Sequence, residues 1–416
     1  MPATNTSSLG PRIDIQRLWR DLQEMGNIGA TPTGGVCRLA LTQEDKLARD
    51  HFIESCRQAG YAIRIDALGN IYARRAGADN TLSPVVTGSH LDSQPVAGKY
   101  DGPYGVLAGL EVLRTMDQHG IETRRPVEVV VWTNEEGARF RPTSLSSSVV
   151  AGVMPLQAAL DTVDDKGIRF GDALEAIGYA GSIDPVGPPM HCYIEAHIEQ
   201  GPVLERGRAE IGVVNGIVGI EAYEVELTGQ AAHTGTTPID SRRDALLGAA
   251  RIITGVRQLA MRYEPVGRAS VAFARIRPNA RSVIADNVLL TADCRSSDDA
   301  QLDIMRTEML SLFSDAAKAE RLDLSVRQYW SVPPTHFSSS CIDAVRTATQ
   351  NLGYTFQDMY SGAAHDAMHI ARIAPSAMIF IPCKDGISHN EAESITVEQA
   401  QAGCNVLLHT IMAVAS

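Results

Sequence analysis

Acidic side chains and histidines gather at the ends of strand-like segments in the first third of the chain. His90 and Asp92 end an apolar run, Asp101 lies just ahead of a predicted helix, and Glu135 and Glu136 follow a β-branched run. In α/β proteins such strand ends carry the functional sites. Two neighbouring buried carboxylates are unfavourable unless cations compensate their charge. The pattern therefore favours a site in which one glutamate binds a metal and the other accepts a proton.

Each of these fragments also has a purely structural explanation. His90 and Asp92 fit a polar strand end that faces solvent, or a ring whose tautomer the carboxylate two residues later fixes. Asp101 fits a helix N-cap as well as a bridging metal ligand. Glu135 and Glu136 fit an exposed acidic turn, although the apolar run before them favours a functional role.

Two later segments add imidazoles to this set. Residues 193–199 alternate polar and apolar side chains, which predicts a strand with Glu195, His197 and Glu199 on one face, although a half-exposed strand gives the same alternation. His389 follows an apolar strand by a short turn and fits either a ligand or a loop histidine. The combined nitrogen and oxygen donors suit Zn, Mn, Co or Ni. Two such cations lower the pKa of a shared water and polarise a scissile carbonyl.

The elements that must position these residues alternate between helix and strand. Residues 47–59 and 103–119 have helical signals, and residues 84–89 and 127–132 read as buried strands, which predicts a mainly parallel sheet in an α/β catalytic domain.

The composition changes near Gly212. About four strands and two helices follow, which predicts a smaller α+β domain inserted at residues 214–330. Ser331-Val332-Pro333-Pro334 is typical of a hinge, so the catalytic domain would comprise residues 1–213 and 331–416.

Length and composition exclude several classes of protein. A chain of 416 residues exceeds the size of one compact core. Its net charge of −12 disfavours nucleic-acid binding. We see neither a signal peptide nor an apolar span of 18 residues, and the seven cysteines form no CxxC pair. We therefore expect a cytoplasmic enzyme with reduced thiols and no membrane contact.

Taken together, the motifs resemble the amidase/hydantoinase/carbamoylase branch of the M20 metallopeptidase superfamily. This branch holds N-carbamoyl-L-amino acid hydrolases, bacterial β-ureidopropionases and allantoate amidohydrolases. The matching segments occur in family order over nearly the whole chain: 88–92, 132–140, 197–205, 229–238, 361–367 and 386–389. The resemblance implies a zinc-exopeptidase-like catalytic domain with a mainly parallel mixed sheet. It also implies an inserted lid domain through which two chains form a homodimer.

The resemblance further implies roles at the matching positions. Asp101 would bridge two divalent cations, with Glu135 as general base and Asp92 orienting a ligand. The remaining metal ligands would be His90 and His197 on one cation and Glu136 and His389 on the other. The expected substrate is a small amide or ureido compound that carries a carboxylate. Its contacts would be Gln200, His233, Ser282, Arg295, Gly362 and Ala363, with His233 acting from the partner subunit on the oxyanion and Arg295 gripping the carboxylate.

Three positions depart from the family pattern. Ser282 replaces the usual Asn, Ala285 the usual Pro, and Ala364 the second Gly of the Gly-Ala-Gly-His-Asp segment. These changes leave the metal ligands intact and bear on the substrate. We favour an N-carbamoyl α- or β-amino acid, with an allantoate-type or another N-acyl substrate as the alternative. A dipeptidase, a deacylase and a non-catalytic ligand-binding relative fit less well.

Overall fold

The computed structural model describes residues 10–416 and contains helices and strands in alternation. The strands are β1 (Ala62–Ile65), β2 (Ile71–Arg75), β3 (Val85–His90), β4 (Val127–Trp132), β5 (Cys192–Ile198), β6 (Ile211–Ile217), β7 (Gly219–Thr228), β8 (Ala232–His233), β9 (Gly267–Arg277), β10 (Val283–Ile284), β11 (Asn287–Ser296), β12 (Asp323–Val332), β13 (Thr335–His336), β14 (Phe356–Ser361) and β15 (Ser376–Ile381). The α-helices are α1 (Ile15–Met25), α2 (Gln43–Gln58), α3 (Pro103–Gln118), α4 (Leu145–Val150), α5 (Leu156–Leu160), α6 (Phe170–Ala176), α7 (Val203–Gly207), α8 (Ala245–Tyr263), α9 (Asp299–Ala319), α10 (Ser339–Leu352), α11 (Ala367–Ile370) and α12 (Val397–Ala415).

The chain divides into two compact units. The first runs to Gly216 and resumes at His336, and the second is Ile217–Thr335. The boundaries therefore lie a few residues after those expected at 214 and 330. The segment expected to be a hinge is partly regular, because Ser331 and Val332 end β12.

The first unit is built on a mixed sheet with the order β1-β2-β4-β3-β5-β15-β6-β13, and β14 pairs with β6. The pairs β4–β3, β3–β5 and β5–β15 are parallel, whereas β1–β2, β2–β4 and β15–β6 are antiparallel. Every residue of β3, β4, β5 and β15 is buried, as expected for strands covered on both faces. The sheet is thus parallel at its centre, and the half-exposed interpretation of residues 193–199 is wrong.

Helices α3 and α12 pack on the central strands and on each other. Pro103 stands in the first turn of α3, where its missing N–H costs nothing, and the helix is buried along most of its length. At the start of α12, the Thr396 hydroxyl and the Gln399 side chain form a reciprocal capping box. The buried side chains of both helices belong to the large apolar core of the first unit.

The second unit has one antiparallel sheet, in the order β12-β7-β11-β9, and a short β8–β10 ladder. Helices α8 and α9 contribute apolar side chains such as Ile252, Met309 and Phe313 to its separate core. This unit has the α+β composition expected for the insertion. In the described part of the chain no helix is long and apolar enough to span a bilayer. All seven cysteines are free.

Candidate metal centre and catalytic site

The site lies where the central strands of the first unit end. Strands β3, β4, β5 and β15 run parallel, so their carboxyl ends share one edge of the sheet. The last residues of β3 and β5 and the segments that follow the four strands supply the polar residues of the site. This shared edge brings together side chains that are far apart in the sequence.

His90, Asp101 and His197 form a first group of possible metal ligands. The two Nε2 atoms lie 3.6 Å and 3.2 Å from Asp101 Oδ1. Each ring donates from Nδ1 to a main-chain carbonyl at 2.9 Å, that of Asp92 for His90 and that of Ile198 for His197. A carbonyl only accepts, so the Nε2 lone pairs are available to a cation. His197 Nε2 is buried and has no hydrogen-bond partner, as a metal-binding nitrogen requires.

Asp101, Glu136 and His389 form a second group of possible ligands. His389 Nε2 lies 3.5 Å from Asp101 Oδ2 and 3.3 Å from Glu136 Oε2. Glu136 Oε1 is buried without a hydrogen-bond partner. Asp101 therefore presents one oxygen to each group, which is the arrangement of a bridging carboxylate. The alternative N-cap role is wrong, because Gly102 occupies the N-cap of α3 and no side chain caps that helix.

The charges of this cluster balance one another. Burial acts to raise the pKa of Asp101, but the neighbouring rings of His197 and His90 hold it well below its ordinary value. The carboxylate of Glu136 raises the pKa of His389 to about 9. The buried carboxylates of Asp101 and Glu136 are stabilised by positive charge beside them, and a bound cation would supply such charge. The residues present fit divalent metal ions by donor type, tautomer and charge.

Glu135 belongs to neither ligand group and lies beside them. Its Oε2 is 3.7 Å from His90 Nε2, and its Oε1 accepts a hydrogen bond from the Ser144 hydroxyl at 3.4 Å. Burial raises the pKa of Glu135 well above its ordinary value. A carboxylate with a high pKa next to ligands is suited to accept and return a proton.

Asp92 orients the site in a different way from that expected. Its main-chain carbonyl, not its carboxylate, accepts the His90 hydrogen bond. The carboxylate accepts instead from the main-chain N–H groups of Glu135 and Glu136, each at 3.2 Å. Asp92 thus links a ligand of the first group to the segment that carries a ligand of the second.

The remaining candidates of the first unit lie outside both ligand groups. Gln200, with a φ of 58°, donates to Asp101 Oδ2 at 2.7 Å. Gly362 and Ala363 follow β14, and the Ala363 N–H donates to the Ser361 hydroxyl at 3.1 Å. Glu199 lies outside the ligand groups, because its carboxylate accepts from two N–H groups in the first turn of α7.

Glu195 is also outside the two groups described above. Its carboxylate accepts hydrogen bonds from Ser89 at 2.7 Å and from Tyr193 at 3.0 Å. It forms a third possible ligand cluster with His197 and His365, but that cluster shares His197 with the first group. Glu195 is therefore better described as part of the buried support of His197.

The second unit holds the remaining three candidates. His233 on β8 accepts at Nδ1 from the N–H groups of Gly235 and Thr236, at 3.0 and 3.2 Å, so its exposed Nε2 carries the proton and donates. The Ser282 carbonyl accepts from the Thr234 N–H at 3.2 Å, which places Ser282 beside His233. Arg295, on β11, forms an ion pair of 3.0 Å with the carboxylate of Asp293.

Several polar residues near the ligands were not predicted from the sequence. The His365 ring lies 4.6 Å from that of His197, Gln94 donates to Glu136 Oε2 at 2.9 Å, and Glu393 accepts from the Asp101 N–H at 3.1 Å. His365 belongs to the Gly362–Asp366 motif, which was expected to contact substrate. Its place in that motif could have predicted that its ring lies near the site. Gln94 and Glu393 act only through other residues and carry no recognisable spacing.

Comparison with known proteins identifies the family. Residues 86–413 match peptidase family M20/M25/M40. The chain is 43% identical to an N-carbamoyl-L-amino-acid amidohydrolase of Rhizobium meliloti over 96% of each protein. It is 32% identical to a ureidoglycolate hydrolase of Oryza sativa, over 95% of this chain and 84% of that protein. A crystal structure of an amidase of the hydantoinase/carbamoylase family from Burkholderia multivorans superposes with a TM-score of 0.94, at 47% identity and over 97% of this chain and 98% of that one.

The chain belongs to peptidase family M20/M25/M40. It is a hydrolase of this family, and its His, Asp and Glu side chains form a candidate metal site. The resemblance inferred from the sequence motifs is confirmed.

Proposed function

We propose that this hydrolase cleaves the ureido C–N bond of an N-carbamoyl amino acid, releasing ammonia, carbon dioxide and the free amine. The observation that carries the proposal is the pair of ligand groups that share Asp101, with Glu135 next to both but part of neither. The 43% identity to an N-carbamoyl-L-amino-acid amidohydrolase supports the choice of substrate.

The two groups would hold two divalent cations, with His90 and His197 as ligands of one, Glu136 and His389 as ligands of the other, and Asp101 as a ligand of both. Nitrogen and oxygen donors of this kind suit Zn, Mn, Co or Ni. When bound, such cations supply Lewis acidity and lower the pKa of water.

Glu135 acts as the general base. Its carboxylate takes a proton from the attacking water and then delivers that proton to the leaving nitrogen, which departs as a neutral amine. The Ser144 hydroxyl and the buried surroundings hold the Glu135 carboxylate in place between the two transfers. Asp92 fixes the main chain of Glu135 and thereby the direction from which the carboxylate approaches.

We propose the substrate contacts from the family resemblance. We propose that Arg295 pairs with the substrate carboxylate, since a guanidinium binds a carboxylate through two parallel hydrogen bonds. The exposed Nε2–H of His233 is suited to stabilise the oxyanion, and Ser282 lies beside it. Gln200, Gly362 and Ala363 would complete the contacts.

We further propose that the chain forms a homodimer through the second unit, with His233 serving the partner's site. A cytoplasmic location is proposed as well, because reduced thiols are the rule in that compartment and all seven cysteines are free.

A second substrate class has specific support. Ser282, Ala285 and Ala364 alter the segments expected to contact substrate, and a ureidoglycolate hydrolase is among the relatives. An allantoate-type ureido acid is therefore the alternative, with the same cleavage chemistry.

The test is a substrate panel on protein reconstituted separately with each of the four metals. It should include N-carbamoyl α- and β-amino acids of both configurations, allantoate, ureidoglycolate, N-formyl and N-acetyl amino acids, and dipeptides. We expect turnover, followed for every substrate by chromatography of the substrate and its products, to be fastest with an N-carbamoyl amino acid. Faster turnover of allantoate or ureidoglycolate would favour the alternative, and activity on dipeptides alone would contradict both.

A further inference from the structure

The carboxylate of Glu393 is buried directly behind the candidate metal centre. The residue is 6% exposed. Its Oε1 accepts from the main-chain N–H groups of Tyr100 and Asp101, at 2.9 and 3.1 Å, and its Oε2 lies 3.0 Å from the Ser388 hydroxyl. Within residues 10–416, no Lys, Arg or His side chain lies within 4 Å of this carboxylate to form an ion pair. Because burying a carboxylate is costly, these three donors are what hold it there.

Ser388 extends this contact to the side chain of Asp101. Its hydroxyl lies 2.7 Å from Asp101 Oδ2, the oxygen that faces His389. The hydroxyl has one hydrogen, which the two carboxylates share in a three-centre hydrogen bond, with Asp101 at the shorter distance. Glu393 therefore reaches Asp101 twice, directly at the main chain and through Ser388 at the carboxylate.

The same contacts join two loops that are remote in sequence. Ser388 and Asp101 are 287 positions apart, and Ser388 directly precedes His389. His389 has a φ of 53°, in the left-handed region that a non-glycine residue adopts only when its surroundings hold it. At Gly98 a Cβ would come within 2.2 Å of the Glu393 carboxyl carbon, so the loop before α3 lies directly on this side chain.

We infer that Glu393, acting through Ser388, is a positioning residue for the second ligand group. It sets the direction of Asp101 Oδ2 and the position of the loop that carries His389. It contacts none of the ligands of the first group other than Asp101. Its loss should therefore weaken chiefly the cation bound by Asp101, Glu136 and His389. This inference rests on the proposed two-cation function.

The test measures Co(II) binding to the full chain by competition with a chelator, together with the visible spectrum of the bound ion. Glu393→Leu and Ser388→Ala are expected to lower the affinity of one of the two cations by about 10–100-fold, which is the usual effect of removing a group that orients a ligand. The other cation should bind as in the unaltered protein. Glu393→Gln should retain most of the affinity, because its amide oxygen accepts from both N–H groups and its amide nitrogen donates to Ser388.

Glu391→Leu is the matched control. This glutamate lies two residues from Glu393 and bonds the Thr31 hydroxyl instead of the metal centre, so both cations should bind normally. Circular dichroism of the metal-free proteins establishes that each variant is folded. If Glu393→Leu is not folded, cation binding by Ser388→Ala alone tests the inference.

Unchanged binding of both cations in the folded Ser388→Ala and Glu393→Leu proteins would overturn the inference. Equal weakening of both cations, or a loss in Glu393→Gln as large as in Glu393→Leu, would overturn it as well. The measurement uses no substrate, so an enzyme that failed the whole substrate panel would refute the proposed substrate and leave this result standing. A single Co(II) per unaltered chain would refute both proposals.

Discussion

Replacing Glu135 with Gln separates proton transfer from metal binding. The substitution keeps the size of the side chain and an oxygen for the Ser144 hydroxyl, which lies 3.4 Å from Oε1. It removes the negatively charged carboxylate, which is the group that would accept a proton. Neither ligand group includes Glu135, so the cations lose no ligand.

The expected loss follows from the role of the base. Positioned general acid–base groups contribute about 10²–10⁴-fold to a rate. Since each factor of ten corresponds to about 1.4 kcal/mol, the barrier should rise by about 3–5 kcal/mol. We expect kcat for the best substrate of the panel to fall at least 100-fold, with KM changed much less, because binding contacts remain.

The assay combines ammonia release under saturating substrate with the metal content of the dialysed protein. Glu136→Gln is the matched control, since it alters the neighbouring residue and a proposed ligand. It should lower the metal content, whereas Glu135→Gln should leave it near normal. A Glu135→Gln enzyme that kept more than a tenth of the kcat, or that lost a cation, would refute the assignment of the base.

Four further predictions concern individual contacts. Asp92→Asn leaves one of two buried N–H groups unpaired, which should cost about 1–3 kcal/mol in the free energy of unfolding, measured in urea; an unchanged value would contradict the contact. Gly102→Ala should lower both stability and cation affinity, because Gly102 has a φ of 81° and an added Cβ would lie 2.4 Å from the His90 ring; normal Co(II) binding would refute this. A cation must displace the proton of His389, whose pKa is raised to about 9, so the affinity of one cation should increase about tenfold from pH 7 to pH 8, and a pH-independent affinity would exclude that competition. Arg295→Ala should raise KM for carboxylate substrates by about 10–150-fold, the equivalent of a charged hydrogen bond of about 1.5–3 kcal/mol, and an unchanged KM would remove Arg295 from the site.

Local sequence patterns predicted the elements that carry the site. The β-branched run at residues 127–132 became β4 with the expected bounds, and Pro103 opens α3 as anticipated. These signals are strong because a strand buried on both faces and a helix with a proline in its first turn leave few alternatives. Short helices such as α5 and α7 have no comparable periodicity and were not predicted.

Boundaries were less well determined by the sequence than the elements themselves. The helix expected from residue 47 begins at Gln43, where Thr42 caps it, and the second unit begins and ends a few residues later than expected. The Thr42 cap is a local contact that lies outside the apolar periodicity used to place the helix. The limits of the second unit depend instead on contacts between distant segments, which local composition does not record.

Residue type by itself made His90, Asp101, Glu135, Glu136 and His389 candidates, since imidazoles and carboxylates are the groups that bind cations and move protons. The sequence also carried the family motifs. It left open, however, whether each fragment was a ligand, a cap or a solvent-exposed turn.

Only the tertiary structure decided between those alternatives. Parallel pairing of the central strands brings their ends to one edge, which puts both oxygens of Asp101 between two groups of ligands. The tertiary structure also shows that the Asp92 carbonyl accepts the hydrogen bond of the His90 ring and that the Glu393 carboxylate accepts that of the Asp101 N–H. These contacts join atoms from segments as much as 292 residues apart. Such pairings depend on how the chain returns to the same edge of the sheet, and no local pattern of residues encodes that distance.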